Sequence, residues 1–271
     1  MQQLDYGPGR AKTTRKNMKT LYIDCTNGVS GDMVLRALAE LAGLDTDALA
    51  PLEFHTHDHE HRHGHDHDHD HDHDHGDGHN HGHTHSHDHG HGRSYADVKH
   101  IIDSQEHYTA KARETAQSIY AVIAWAESSV HGETLETIHF HEVGRDQAIA
   151  NALGIGAALD VISPDRILVS KINDGSGFVD CAHGRIPVPV PAVQAMMDQC
   201  GAAYPALRFD TCTDVDTEMV TPSGLAAIIG IGATPADSGM MFMKGQITGE
   251  TEVKGTRDTG RGGLRVYIIE A

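Results

Sequence analysis

The chain has 271 residues, with 39 acids against 21 lysines and arginines, a formal charge of −18 and aromatics at only 5%. An acidic, aromatic-poor chain argues against nucleic acid and anionic membrane surfaces as partners, and no apolar run approaches the roughly 20 residues of a membrane span. Its four cysteines (Cys25, Cys181, Cys200, Cys212) are too few for a disulfide framework and read as reduced thiols of a cytoplasmic protein.

Residues 1–17 (MQQLDYGPGRAKTTRKN) are polar and basic with no apolar stretch for a signal peptide, so a disordered extension is expected before Met18. Residues 18–271 read as a single α/β domain of mixed α+β type, a central sheet flanked by helices, interrupted by a long loop over 53–93. Residues 20–24 (TLYID) predict a strand that ends in a carboxylate. A Gly/Ser loop follows at 25–31, then a helix over 32–42 in which Met33, Leu35, Leu38 and Leu41 recur at helical spacing. Strand, tight glycine loop and helix start is a geometry that turns backbone N–H groups toward an anion.

The loop over 53–93 is the least ordinary stretch. Eighteen of the 24 histidines fall within 55–91, alternating with aspartate through His65, His67, His69, His71, His73 and His75. It has no apolar residue after Phe54 and is expected to be disordered without metal. Neutral imidazole is the commonest nitrogen ligand of transition metals, and the interspersed carboxylates add charge and oxygen donors. Ser94 then predicts an N-cap for a helix over 95–104. A longer helix is expected over 110–130, with Ile119, Val122, Ile123 and Trp125 on it. Residues 137–140 look extended, and the Ala- and Gly-rich 144–162 predicts a helix packed tightly on a neighbour. Residues 166–172 (RILVSKI) predict a buried strand and 178–181 another. The prolines of 186–191 force an extended path into a helix over 192–199, and Thr221-Pro222-Ser223 opens a further helix. Residues 240–249 and 263–269 predict closing strands.

Chemistry can sit at three places. In His139-Phe140-His141-Glu142, an extended backbone puts His139 and His141 on one face, as two ligands of one metal or as surface histidines on a strand edge, with Glu142 as oxygen ligand or base. Cys181-Ala182-His183-Gly184-Arg185 joins a thiol, an imidazole and a cation. It can complete a metal site or hold an anion, or Cys181 and His183 can simply be packing residues. At the first glycine loop, Ser30 and Asp32 are explained as a helix cap and a dipole partner. The alternative adds a phosphate at the N–H groups of Ser30, Gly31 and Asp32, with Asp24 as ligand or base. Glu218, before the Thr221 helix start, poses the same choice. There is no GxxxxGK[ST], HExxH, CxxC or GxSxG sequence, which argues against P-loop, zinc-protease, structural-zinc and acyl-enzyme chemistry.

Six motifs in order (Asp24-Cys25 with Gly28-Val29-Ser30-Gly31-Asp32-Met33, the His-rich insertion, His139 to Gly144, Cys181-Ala-His183-Gly184-Arg185-Ile-Pro-Val-Pro, Thr221-Pro222-Ser223-Gly224 and Gly255-Thr256-Arg257-Asp258) resemble the LarC family. The resemblance implies a nickel chelatase, or cyclometallase, of the lyase type. It would insert Ni2+ into pyridinium-3,5-bisthiocarboxylic acid mononucleotide, forming one Ni–C and two Ni–S bonds and so the nickel-pincer cofactor of lactate racemase, coupled to hydrolysis of CTP with Mg2+ or Mn2+. On that reading His139, His141, His183 and Cys181 hold metal, with Glu142, His141 and Asp24 catalytic. Ser30, Gly31, Asp32 and Arg185 hold the mononucleotide, and the His65 to His75 run supplies nickel. Where the family carries aspartates after HEVG, this chain has Gln147 and Asn151. The family also continues past GTRD into a C-terminal CTP-binding domain, whereas this chain stops at Ala271. The expected partners are the mononucleotide, a separate C-terminal LarC half and, independently of these, a second copy in a homo-oligomer. The rival reading is a nickel store or metallochaperone without chemistry.

Overall fold

The computed structural model describes residues 17–46, 92–140, 143–181, 184–237 and 245–271. Of the extension expected over 1–17 and the His-rich loop expected over 53–93, residues 1–16 and 53–91 lie outside these residues, and Arg93 belongs to the first short strand after the loop. In chain order the elements are β1 (Lys19–Asp24), α1 (Gly31–Ala42), β2 (Arg93–Ser94), α2 (Tyr95–Ser104), α3 (Ala110–His131), β3 (His139–Phe140), α4 (Asp146–Ile162), β4 (Arg166–Val169), β5 (Ile172–Asp174), β6 (Phe178–Cys181), β7 (Gly184–Pro187), α5 (Pro191–Gln199), β8 (Phe209–Thr211), α6 (Pro222–Gly230), β9 (Thr234–Pro235), β10 (Gln246–Val253) and β11 (Leu264–Glu270).

The mixed α/β reading with a central sheet holds. Strand β1 is central because Leu21, Tyr22 and Ile23 are all shut off from solvent, so both of its faces are covered. Leu21 and Ile23 point into the main core, while Tyr22 joins Leu168 and Ile269 in a small cluster on the other face. The sheet runs β10-β11-β1-β4-β9, antiparallel across β10, β11 and β1, and parallel across β1, β4 and β9. Helix α1 lies on β10 and β11, α4 packs on α1 and α3, and α3 packs on α5 and α6.

The small residues of α4 do what their composition suggests. A Cβ on Gly156 would sit 2.3 Å from the Ala112 carbonyl oxygen, so α3 and α4 approach closely only with glycine there. Helix α2 begins where expected, with a complete capping box between Ser94 and Asp97. The predicted strand over 166–172 is two strands in different sheets. At Ser170 the chain leaves the main sheet: its N–H bonds Ile23 and its hydroxyl accepts from the Cys25 N–H, and β5 then pairs with β8. The extended stretch expected over 137–140 shortens to β3, because Thr137 and Ile138 turn back onto the Thr134 carbonyl. Of the strand expected over 240–249, residues up to 244 lie outside the described residues, and β10 runs on to Val253. No helix among the described residues is long and apolar enough to cross a membrane.

Candidate functional site

The carboxyl end of β1, where open α/β sheets place their ligands, leads into two helix starts set side by side. Val29 bridges Val220 in parallel, donating to Met219 and accepting from Thr221 at 2.8 and 3.0 Å. Glycine makes this approach achievable. Gly28 has φ +88°, and a Cβ there would lie 2.3 Å from the Met219 oxygen; a Cβ on Gly224 would lie 2.4 Å from the Val29 oxygen. Behind the bridge, the buried Asp174 accepts from the N–H groups of Gly175, Met219 and Val220 at 2.8, 2.8 and 3.0 Å. Burial raises its carboxyl above the usual carboxylate range against the pull of those three donors, and its second oxygen is enclosed without a partner.

In front of the bridge is a cavity of about 410 Å3, a volume that suits a small ligand. Ser30, Asp32 and Met33 of the α1 start form one wall, and Glu218, Met219 and Thr221 another. The third is the loop between β10 and β11, including Lys254, Arg257, Asp258 and Arg261. The two helix starts differ. Thr221 caps α6 by accepting from the Gly224 N–H at 3.1 Å. Ser30 makes no such cap, contrary to the simple capping account. Its hydroxyl donates to Asp32 at 2.5 Å and accepts from no N–H of the first turn, so α1 has no side-chain cap. Asp32 is held in turn by Arg36 at 3.1 Å.

Ser30 and Asp32 thus line the cavity, with Gly31 packed against Ser223 between them. Asp24 lies at the end of β1 in a cross-strand pair with Arg265 at 2.6 Å and accepts from Thr26, away from the cavity lining. His139 is exposed on β3, its Nδ1 2.7 Å from the Thr137 oxygen, while the alternate residue Phe140 is buried against Tyr120 and Tyr95. Cys181 and Arg185 lie on the β6–β7 hairpin, where the Arg185 guanidinium stacks 4.8 Å from the Phe178 ring. His141, Glu142, His183 and the run His65, His67, His69, His71, His73 and His75 lie outside the described residues. Among the described residues, no three His, Cys, Asp or Glu side chains are arranged to hold a metal ion. All four cysteines are free, and burial pushes the Cys25 thiol up, which marks it as a packing residue. Gln147 bonds Asn151 along α4 at 2.9 Å.

Sequence reasoning missed Asp174 and gave no role to Lys254, Arg257 or Arg261. The latter three had a signal: KGTRDTGRGG between two strands is a glycine-rich loop carrying cations.

The family model described as nickel insertion protein matches residues 21–268. The chain is 36% identical over 222 residues to the pyridinium-3,5-bisthiocarboxylic acid mononucleotide nickel insertion protein of Acetivibrio thermocellus, covering 78% of this chain and 51% of that one. It is 37% identical over 227 residues to the protein of the same name from Lactiplantibacillus plantarum, covering 78% and 52%. The chain therefore spans about half the length of these curated relatives. No solved structure matches.

Proposed function

The chain belongs to the nickel insertion protein family, and from that premise we propose that it inserts Ni2+ into pyridinium-3,5-bisthiocarboxylic acid mononucleotide, the compound in its relatives' names. The product would be the nickel-pincer cofactor of lactate racemase, made in the cytoplasm. The observation that carries this reading is the cavity between the α1 and α6 starts, formed by the glycine motif that the sequence singles out for a phosphate. Ser30, Gly31 and Asp32 receive the mononucleotide there, where the uncapped first turn of α1 offers N–H groups to an anion.

In the reaction Ni2+ gains one bond to a ring carbon and two to sulfur, and the ring carbon gives up its proton. Glu142 or His141 takes that proton as general base. His139, His141 and His183, with Cys181 beside them, hold the incoming ion, and the His65 to His75 run concentrates nickel nearby as a tethered donor does. Sulfur donors on the substrate draw the ion from imidazole and carboxylate, so the transfer runs downhill. On this reading insertion is coupled to hydrolysis of CTP with Mg2+ or Mn2+.

The test is the full chain with Ni2+ and the bisthiocarboxylate mononucleotide, with and without CTP and a C-terminal half from a relative, read by mass spectrometry. The expected result is a species that has gained one nickel and lost the ring proton, abolished by His139→Ala with His141→Ala while bulk nickel binding persists. No adduct under any of these conditions, or full activity in the double variant, overturns the reading. The alternating His/Asp run also suits a nickel store. Deleting 55–91 separates the two, because a catalyst keeps activity at high nickel and a store loses its purpose.

A further inference from the structure

The loop between β10 and β11, residues 254–263, has no part in the reading above, although Arg257 and Arg261 both line the cavity. We propose that these two arginines grip the phosphate of a mononucleotide seated in the cavity, exchanging their present carboxylate partners for it. The proposal rests on the reading that the cavity takes a mononucleotide, and it names the side chains and the ligand group that this would use.

Both guanidiniums pair with one segment, residues 214–218. Arg257 pairs with Glu218 at 2.7 Å, and Arg261 meets both oxygens of Asp214 at 2.7 Å. Neither fork is filled. Arg257 is bonded through one nitrogen, and the Nε of Arg261 is shut off from solvent with no acceptor. Asp214 is 72% exposed, and an exposed pair of this kind holds weakly against a phosphate dianion, which offers more oxygens to a planar fork.

The loop carrying the arginines is fixed against α1. Arg36 donates to the Lys254 carbonyl at 2.6 Å, Asn27 to the Gly263 carbonyl at 3.2 Å, and the Gly263 N–H to Glu252 at 2.8 Å. The backbone at the two ends of the loop is therefore held in place, and only the guanidiniums need to turn when the anion arrives. Of the carboxylates in the lining, Glu218 is the one that competes with an anion for one of the two arginines. Asp32 is engaged by Ser30 and Arg36, and Asp258 accepts from the Gly260 N–H at 2.9 Å. A pyridinium mononucleotide carries both a ring cation and a phosphate, which matches walls of both signs.

The experiment titrates the full chain with nicotinic acid mononucleotide and with its dephosphorylated riboside, by calorimetry. The wild type should prefer the mononucleotide at least tenfold. Arg257→Gln with Arg261→Gln should erase that preference by weakening the mononucleotide alone. Glu218→Gln, which removes the competing carboxylate, should tighten the mononucleotide severalfold and decides the matter if the arginine variants fail to fold. A wild type with no preference, a double variant that keeps it, or a Glu218→Gln chain with unchanged or weaker binding overturns the proposal. Failure here is distinguishable from failure of the proposed function. Nickel insertion by the arginine double variant at an unchanged mononucleotide KM sinks the grip alone, and an arginine-dependent preference without any nickel adduct sinks the insertion reading alone.

Discussion

The floor of the cavity and the two short ladders that carry His139 and Cys181 are built on opposite principles. At the floor, Val29 and Val220 are bridged, Gly28 and Gly224 leave no space for a methyl group, and Asp174 binds three backbone donors from behind. The β2–β3 ladder has two residue pairs, β6–β7 has four, and His139 and Arg185 stand exposed on them. A ligand held by charge needs donors that are fixed before it arrives. An ion handed from one donor set to another needs donors that can turn.

The sharpest way to break this contrast is at the floor. Gly28→Ala combines a left-handed backbone with a methyl group 2.3 Å from the Met219 oxygen, and should cost about 3 kcal/mol or more in urea unfolding. A cost under about 1 kcal/mol would show that the floor relaxes as readily as a surface loop. Next in size, Asp174→Ala strands three backbone donors and should cost about 3 kcal/mol, whereas Asp174→Asn keeps an acceptor and should cost about 1 kcal/mol. The pair also has a pH signature. Burial raises the folded carboxyl of Asp174 above its unfolded value, so its contribution is fully present below the unfolded pKa of about 3.9 and is lost as pH rises through the folded value. The stability gap between wild type and Asp174→Asn should therefore narrow as pH rises from about 4. A gap that is flat or widens with pH would show that Asp174 titrates as an ordinary carboxylate.

The ease of reading these regions from sequence followed the same divide. Apolar spacing located α2 and α3, Ala- and Gly-rich composition located α4, and Ser94 marked its capping box through local chemistry alone. The glycine loop before α1 was legible as a tight turn into a helix start because backbone conformation is written in residues close together. The rest of the cavity was not, because Arg257 and Arg261 reach it only through the β10–β11 pairing, and Asp174 acts on Met219 and Val220, 45 and 46 residues away. The capping account of Ser30 failed locally: its hydroxyl turns to the Asp32 carboxylate and makes no side-chain cap on the first turn of α1.

On the ladder side the effects should be smaller. Ser94→Ala removes the side-chain half of the capping box at the end of β2, while the backbone N–H of residue 94 keeps its bond to the Asp97 carboxylate, and should cost about 1 kcal/mol, read by the same unfolding measurement. A loss of about 3 kcal/mol would make this ladder as rigid as the floor.

The smallest structural effect belongs to the residues whose proposed roles are largest. His139 is exposed with its ring against a carbonyl two residues back, while Arg185 rests on the face of Phe178. Replacing either by alanine should change stability by less than about 0.5 kcal/mol, since neither fills a cavity nor satisfies a buried group. If His139 serves an incoming ion, its loss should nevertheless lower the yield of nickel adduct at limiting nickel, an effect that excess nickel restores because the fold and the anion grip remain intact. Arg185→Ala divides the two regions further. A loss of mononucleotide affinity matching that of the Arg257 and Arg261 double variant would join the hairpin to the cavity as one site, and an unchanged affinity would leave the hairpin to the metal alone.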